Sequence, residues 1–378
     1  MAEQADAATT NVALSKIARD ERLRKQSGIG RLLSRPELGA LAGTVLVFVF
    51  FAITAGGTGM FAADGILNWS TVSAQLMVIA IGAALLMIGG EFDLSVGSMI
   101  GFAGMMIAIP TMFFGVPIWA SVIFAFAGAM AIGFVNGLIV VRTHLPSFIV
   151  TLASLFILRG MTIALSIYFT NRTIVGGVRE MSEGTFVGWL FGGTVGGPFF
   201  VWLAEIGIIA STNSGQPVVR GIPMVIVWAL VLAVIAHIVL MRTRVGNWIF
   251  ASGGDANAAR NVGVPVNAVK IGLFMVTAFC ATVYAACQVF EFGSAAADRG
   301  LLKEFEAIIA AVIGGCLLTG GYGSVIGACL GALIFGVVQM GILFTGVPND
   351  WFRVFLGVML LIAVLFNNVI RRRVTGER

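Results

Sequence analysis

The chain has 378 residues, of which 58% are hydrophobic and only 11% charged, and its mean hydropathy is +1.00. Soluble domains carry about 25% charged residues, so this composition excludes a soluble enzyme and implies an all-α polytopic membrane protein surrounded by membrane lipid. The net charge of +5 resides in tails and short loops, where the positive-inside rule places Lys and Arg, and it indicates no nucleic-acid partner.

Residues 1–37 are polar and mixed in charge, with Lys16, Arg19, Arg22, Arg24, Lys25, Arg31 and Arg35, and they read as a cytoplasmic tail. They lack the short apolar core of a cleavable signal. A transmembrane domain is expected over 38–370, followed by a basic cytoplasmic tail at 371–378. Apolar runs at 38–55, 71–89, 95–109, 118–141, 148–170, 223–241, 269–290, 305–318, 324–344 and 351–370 predict about ten spans of roughly bilayer length. The runs at 95–109 and 305–318 are short. Arg142, Arg242, Arg244 and the triplet Arg371, Arg372 and Arg373 then all fall on one side, so both termini are expected in the cytoplasm. The apolar stretch 186–209 is broken by Gly192, Gly193, Gly196, Gly197 and Pro198. An extra crossing there would move the later arginines outside, so 174–222 is expected to be an extracytoplasmic or re-entrant segment.

The stretch 88–101, IGGEFDLSVGSMIG, interrupts an apolar run with Glu91, Asp93, Ser95 and Ser98. Ionisable groups at membrane depth are costly and are kept where they face a cavity, a partner or a pathway. An echo occurs at 313–327, IGGCLLTGGYGSVIG, which suggests two similar halves with paired breaks. Short, glycine-interrupted segments in matching places of two halves point to a transport site. The spacer 316–322 of the echo has no acid, so the break itself is the shared feature. Asp93 and Ser95 are then expected to cap a helix starting at Val96, with direct substrate contact as the other option.

In the fifth span Ser147, Thr151, Ser154, Arg159, Thr162 and Ser166 share an arc of about 140° at helical spacing. Arg159 is expected to face the bundle interior, a polar cavity or an acid such as Glu91 or Asp93, as pathway lining or as a structural pair. Asn136 and Gln339 read as matching amides after the two breaks, either as packing groups or beside the pathway. The small-xxx-small pairs Gly97/Gly101 and Gly133/Gly137 and the series Gly323/Gly327/Gly331 signal close helix contacts within or between subunits.

Residues 242–270 form the longest cytoplasmic loop. Its middle, 255–261, predicts a short surface helix with Asp255 as N-cap and Gly263 as stop, suited to docking a soluble partner. Cys280, Cys287, Cys316 and Cys329 sit in apolar segments, and His144 and His237 are isolated, so no metal site is expected. No catalytic motif and no phosphate loop is present, so the chain is read as a non-enzyme without its own cofactor.

DLSVGS at 93–98, ASGGDANAARNVGVPV at 251–266 and FEAIIAAVIGGCLLTGGYGSVIGACLGALIFG at 305–336 resemble the permease subunits of ribose/xylose-type sugar ATP-binding-cassette importers of the bacterial inner membrane. The resemblance runs over roughly 38–368, although 174–222 is longer than is usual for that family. It implies a permease domain that pairs with a second permease copy as a homodimer and accepts sugar from an extracytoplasmic sugar-binding protein. It also implies a cytoplasmic ABC ATPase, which binds the ATP, docked through 251–266. The substrate pathway expected from the residues is Asp93, Ser98, Asn136, Thr151, Arg159, Thr162 and Gln339. The coupling residues are Gly254, Asp255, Ala258, Ala259, Arg260 and Gly263. The substrate class is a monosaccharide or related polyol, with a nucleoside or amino acid as alternatives. An ion-coupled secondary transporter using Glu91, Asp93 and Arg159 is the rival of a different class.

Overall fold

The computed structural model describes residues 36–361, apart from 213, 214, 349, 353, 356 and 360. The basic tail 371–378, residues 362–370 of the last expected span and the tail up to residue 35 lie outside the described residues. Eight described helices are long and apolar enough to cross a membrane. They are α1 (Pro36–Ala55), α2 (Ala63–Ile88), α3 (Val96–Phe114), α4 (Ile118–Thr143), α5 (Ser147–Thr170), α9 (Met224–Arg242), α12 (Val266–Phe292) and α14 (Val325–Phe344). Residue 350 onward is also helical at the described positions.

The core is built on α2, α3 and α12, which are largely buried, whereas α1, α4, α5 and α9 keep apolar faces outward. The long α12 packs along α4, α3 and α2; α14 packs along α2 and α1. Without a hydrophobic force between helices in lipid, such contacts depend on close backbone approach. The expected small-residue pairs do this within the chain. Gly137 faces the Ile271 backbone of α12, and Gly331 faces the Ala310 carbonyl of α13 (Lys303–Ile313).

The described residues of the segment 174–222 form short pieces: β1 (Ile174–Gly176), α6 (Val178–Ser182), α7 (Phe186–Gly192), β2 (Thr194–Val195) and α8 (Gly197–Glu205). None of these helices is long enough to cross a bilayer, which needs about 20 residues. β1 pairs antiparallel with β4 (Ser294–Ala296), and β2 pairs with β3 (Ile222–Pro223), so the segment is tied to the ends of α9 and α12. Two short helices, α10 (Arg244–Gly254) and α11 (Ala256–Asn261), join α9 to α12 at the opposite end.

Two expectations change. The run after Asp93 is a full helix of 19 residues, because the pattern continues through Pro110 to the Gly115 stop; only α13, with 11 residues, is short. The first break also lies at the end of a full-length helix, since the 26 residues of α2 at ~1.5 Å each exceed the ~30 Å hydrocarbon core.

Candidate functional site

The repeated Ile-Gly-Gly is one helix stop used twice. After α2, the Gly90 N–H donates to the Met87 carbonyl (2.9 Å) and the Glu91 N–H to Leu86 (3.1 Å). After α13, the Gly315 N–H donates to Val312 (2.9 Å) and the Cys316 N–H to Ala311 (3.0 Å). Gly90 and Gly315 have φ of +84° and +90°. This is the Schellman arrangement, in which a left-handed glycine lets the chain turn back on the last carbonyls. The second shared string, Gly-Ser-x-Ile-Gly, is not equivalent in space. Ser324 is the N-cap of α14 and accepts from the Gly327 N–H (3.4 Å), whereas Ser98 lies inside α3 with its buried Oγ unpartnered among the described residues.

The first break is held by side chains from three helices. Asp93 Oδ1 accepts from the Ser95 N–H (2.8 Å) and the Ser95 hydroxyl (2.5 Å), and Oδ2 accepts from the Thr277 hydroxyl of α12 (2.7 Å). The Asn136 amide donates to Ser95 Oγ (3.2 Å), and the Ser154 hydroxyl donates to Asn136 Oδ1 (2.6 Å). Ser95 occupies the N-cap position of α3, as expected, yet its hydroxyl makes no capping bond because Asp93 takes it. Glu91 forms an ion pair with Lys270 at the start of α12. A buried carboxylate persists only when its oxygens are paired in this way.

The polar arc of α5 caps the same break. Ser147 Oγ accepts from the Phe92 N–H and Thr151 Oγ1 from the Leu94 N–H, each at 3.0 Å. Buried backbone N–H groups outside a helix need such partners. Higher on the arc, the Arg159 guanidinium donates to the carbonyls of Ala297 (3.0 Å) and Arg299 (3.3 Å), with Glu304 and Asp298 supplying negative charge nearby. Its hydrogen-bond partners are thus the loop after β4 rather than Glu91 or Asp93. Thr162 donates back to the Leu158 carbonyl of its own helix (2.6 Å). Gln339 is not the counterpart of Asn136: it sits on α14 itself with Oε1 buried and unpartnered among the described residues, whereas Asn136 is on α4. Asn136 and Ser154 also border a mainly apolar groove of about 360 Å³ between α4 and α5.

The second break is held through its main chain. The Gly321 N–H donates to the Ile88 carbonyl of α2 (2.8 Å), the Leu317 N–H to Tyr322 (3.1 Å) and the Gly320 N–H to Leu317 (3.2 Å). One of these bonds joins the two breaks directly.

At the same end lies α11. Asp255 caps it, accepting from the Asn257 N–H (2.9 Å) and the Ala258 N–H (3.0 Å). Gly263, with φ of +85°, turns the chain out of it. Arg260 reaches Asn257 (3.1 Å) and Asn267 (3.3 Å), which pins α11 to the first turn of α12. Gly254, Asp255, Ala258, Arg260 and Gly263 are exposed, while Ala259 is buried beneath them. At the opposite end a cavity of about 950 Å³ is bordered by Arg179, Glu183, Trp189, Arg220 and Glu291.

Lys270 and Thr277 were not among the residues singled out from sequence. They are seven apart on α12, two turns on one face, and that spacing is the signal that marks them. Glu304, buried at the start of α13, also escaped notice.

Comparison with known proteins places this architecture. The chain is 28% identical to the xylose transport system permease protein XylH of Escherichia coli (strain K12), over 88% of this chain and 92% of that protein. It is 31% identical to the ribose import permease protein RbsC of the same strain, over 80% and 84%. It is 32% identical to the probable ABC transporter permease protein y4mJ of Sinorhizobium fredii (strain NBRC 101917 / NGR234), over 90% and 91%. The family described as branched-chain amino acid transport system / permease component matches residues 65–364, a span that takes in both helix breaks and the α10–α11 connection. The chain therefore belongs to this family of transport-system permeases and is similar to its xylose and ribose members.

Proposed function

We propose that this chain is the membrane-spanning permease subunit of an ATP-binding-cassette importer that moves a monosaccharide or related polyol across the bacterial inner membrane. In this reading two copies pair, α11 docks a separate cytoplasmic ATPase, and an extracytoplasmic binding protein delivers solute near the cavity bordered by Trp189 and Arg220. Transport proceeds by alternating access, driven by the ATPase. The arginine bias at the α10–α11 end supports the sidedness.

The observation that carries the proposal is α11, a capped and exposed helix that directly follows α10, whose last turn abuts both helix breaks, in a chain whose relatives are xylose and ribose permeases. The ion-coupled alternative finds its carboxylates occupied: Glu91 is paired with Lys270, and both oxygens of Asp93 already accept hydrogen bonds.

Reconstitution in liposomes tests the reading. The permease with its ATPase and binding protein is expected to take up xylose or ribose only with ATP, and the permease alone is expected to be inert on a proton or sodium gradient. Gradient-driven uptake by the permease alone would establish the alternative. Asp255→Ala with Arg260→Ala is expected to leave membrane insertion intact and uncouple uptake from ATP hydrolysis.

A further inference from the structure

The last turn of α10 touches both helix breaks through bare backbone. A β-carbon added at Gly253 would lie 1.8 Å from the Ile88 carbonyl oxygen and 2.7 Å from the Gly321 nitrogen, the two atoms whose hydrogen bond joins the breaks. A β-carbon at Gly90 would lie 3.1 Å from Gly253 Cα, and one at Gly320 would lie 2.7 Å from both the Gly253 carbonyl oxygen and Gly90 Cα. Gly90 and Gly320 have φ of +84° and +81°, which side chains rarely adopt. Three separate stretches, at 88–90, 253 and 320–321, thus meet without side chains between them.

We infer that Gly253 is a positioning residue through which movement of the α10–α11 element is delivered to both breaks at once. Side chains yield by changing rotamer, but abutting main chains bonded to each other do not, so a displacement of α11 transfers without slack. Asp255 follows Gly253 by two residues, so the docking helix and the junction are adjacent. Through Ile88 and Gly321 the displacement reaches the α2–α3 turn and the α13–α14 turn together. This inference rests on the importer reading.

A glycine outside the junction is an internal control, because a β-carbon at Gly272, inside α12, meets nothing within 4 Å. Alanine at either site adds helix propensity, so a difference between Gly253→Ala and Gly272→Ala isolates the junction. In the reconstituted complex, Gly253→Ala is expected to keep the ATPase bound and hydrolysing ATP while solute imported per ATP falls about tenfold. Gly272→Ala is expected to match the wild type. Uptake per ATP for Gly253→Ala within about twofold of Gly272→Ala, the resolution of such comparisons, would overturn the inference.

Should Gly253→Ala fail to fold, amide hydrogen exchange of the wild-type complex decides the matter. ATP is expected to change exchange at 88–91 and 317–323 together, and a change confined to one break overturns the inference. A wild-type complex without ATP-dependent uptake refutes the importer reading itself. A coupled wild type with an equally coupled Gly253→Ala refutes only the junction.

Discussion

The two breaks begin with the same three residues and the same helix stop, then solve the same problem with opposite chemistry. Between Glu91 and Ser95 the break's own carboxylates and main chain are met by an amide, hydroxyls and a lysine from α4, α5 and α12. Between Cys316 and Gly323 it uses glycines in left-handed turns and main-chain hydrogen bonds, one of them to the other break. The acids are therefore a local means of satisfying an irregular turn, whereas the reversal of direction itself is common to both. This removes the main reason to read Glu91 and Asp93 as an ion site.

The largest expected effect tests that contrast. Asp93→Ala removes the acceptor of three hydrogen bonds from Ser95 and Thr277 and should cost about 3 kcal/mol, by analogy with other buried charged acceptors. Denaturant titration of the purified permease in micelles measures it. If Asp93→Ala is as stable as the wild type, the side-chain-held picture of the first break is wrong.

Next comes the ion pair. Glu91→Gln leaves Lys270 half-paired at a poorly exposed site and should destabilise by about 2 kcal/mol, and the charge swap Glu91→Lys with Lys270→Glu should restore most of that. A swap no better than the single variant would show that the pair itself contributes little. Thr151→Val strips the Leu94 N–H of its acceptor and should cost about 1 kcal/mol in the same titration.

The smallest contrast lies in the repeated Gly-Ser string. Ser324→Ala loses a helix cap and should cost about 1 kcal/mol. Ser98→Ala, whose hydroxyl has no partner among the described residues, should change stability by less than about 0.5 kcal/mol. Equal effects would mean that the two serines are equivalent after all.

Much was legible in the sequence because it depends on neighbours along the chain. The helix stop at Ile-Gly-Gly, the Asp255 cap, the Gly263 exit and the apolar spans all follow from local chemistry, and the repeated stop was visible as a repeat. The polar arc of α5 was visible too, but its purpose was not. An arc says which residues share a face, whereas the Phe92 and Leu94 N–H groups it serves are more than fifty residues away. The pairing of Gln339 with Asn136 failed for a related reason: equal chemistry after two breaks does not require equal helices.

By itself the sequence determined the membrane class, the helix stops at the two Ile-Gly-Gly strings, and the presence of two breaks, since composition and backbone preference act residue by residue. Only the tertiary structure decided which groups neutralise the acids, where Arg159 donates, and that Gly253 meets both breaks. Those outcomes rest on contacts such as Lys270 with Glu91, 179 residues apart, and Thr277 with Asp93, 184 apart. No local pattern encodes such a distance; it is fixed when α12 packs between α2, α3 and α4.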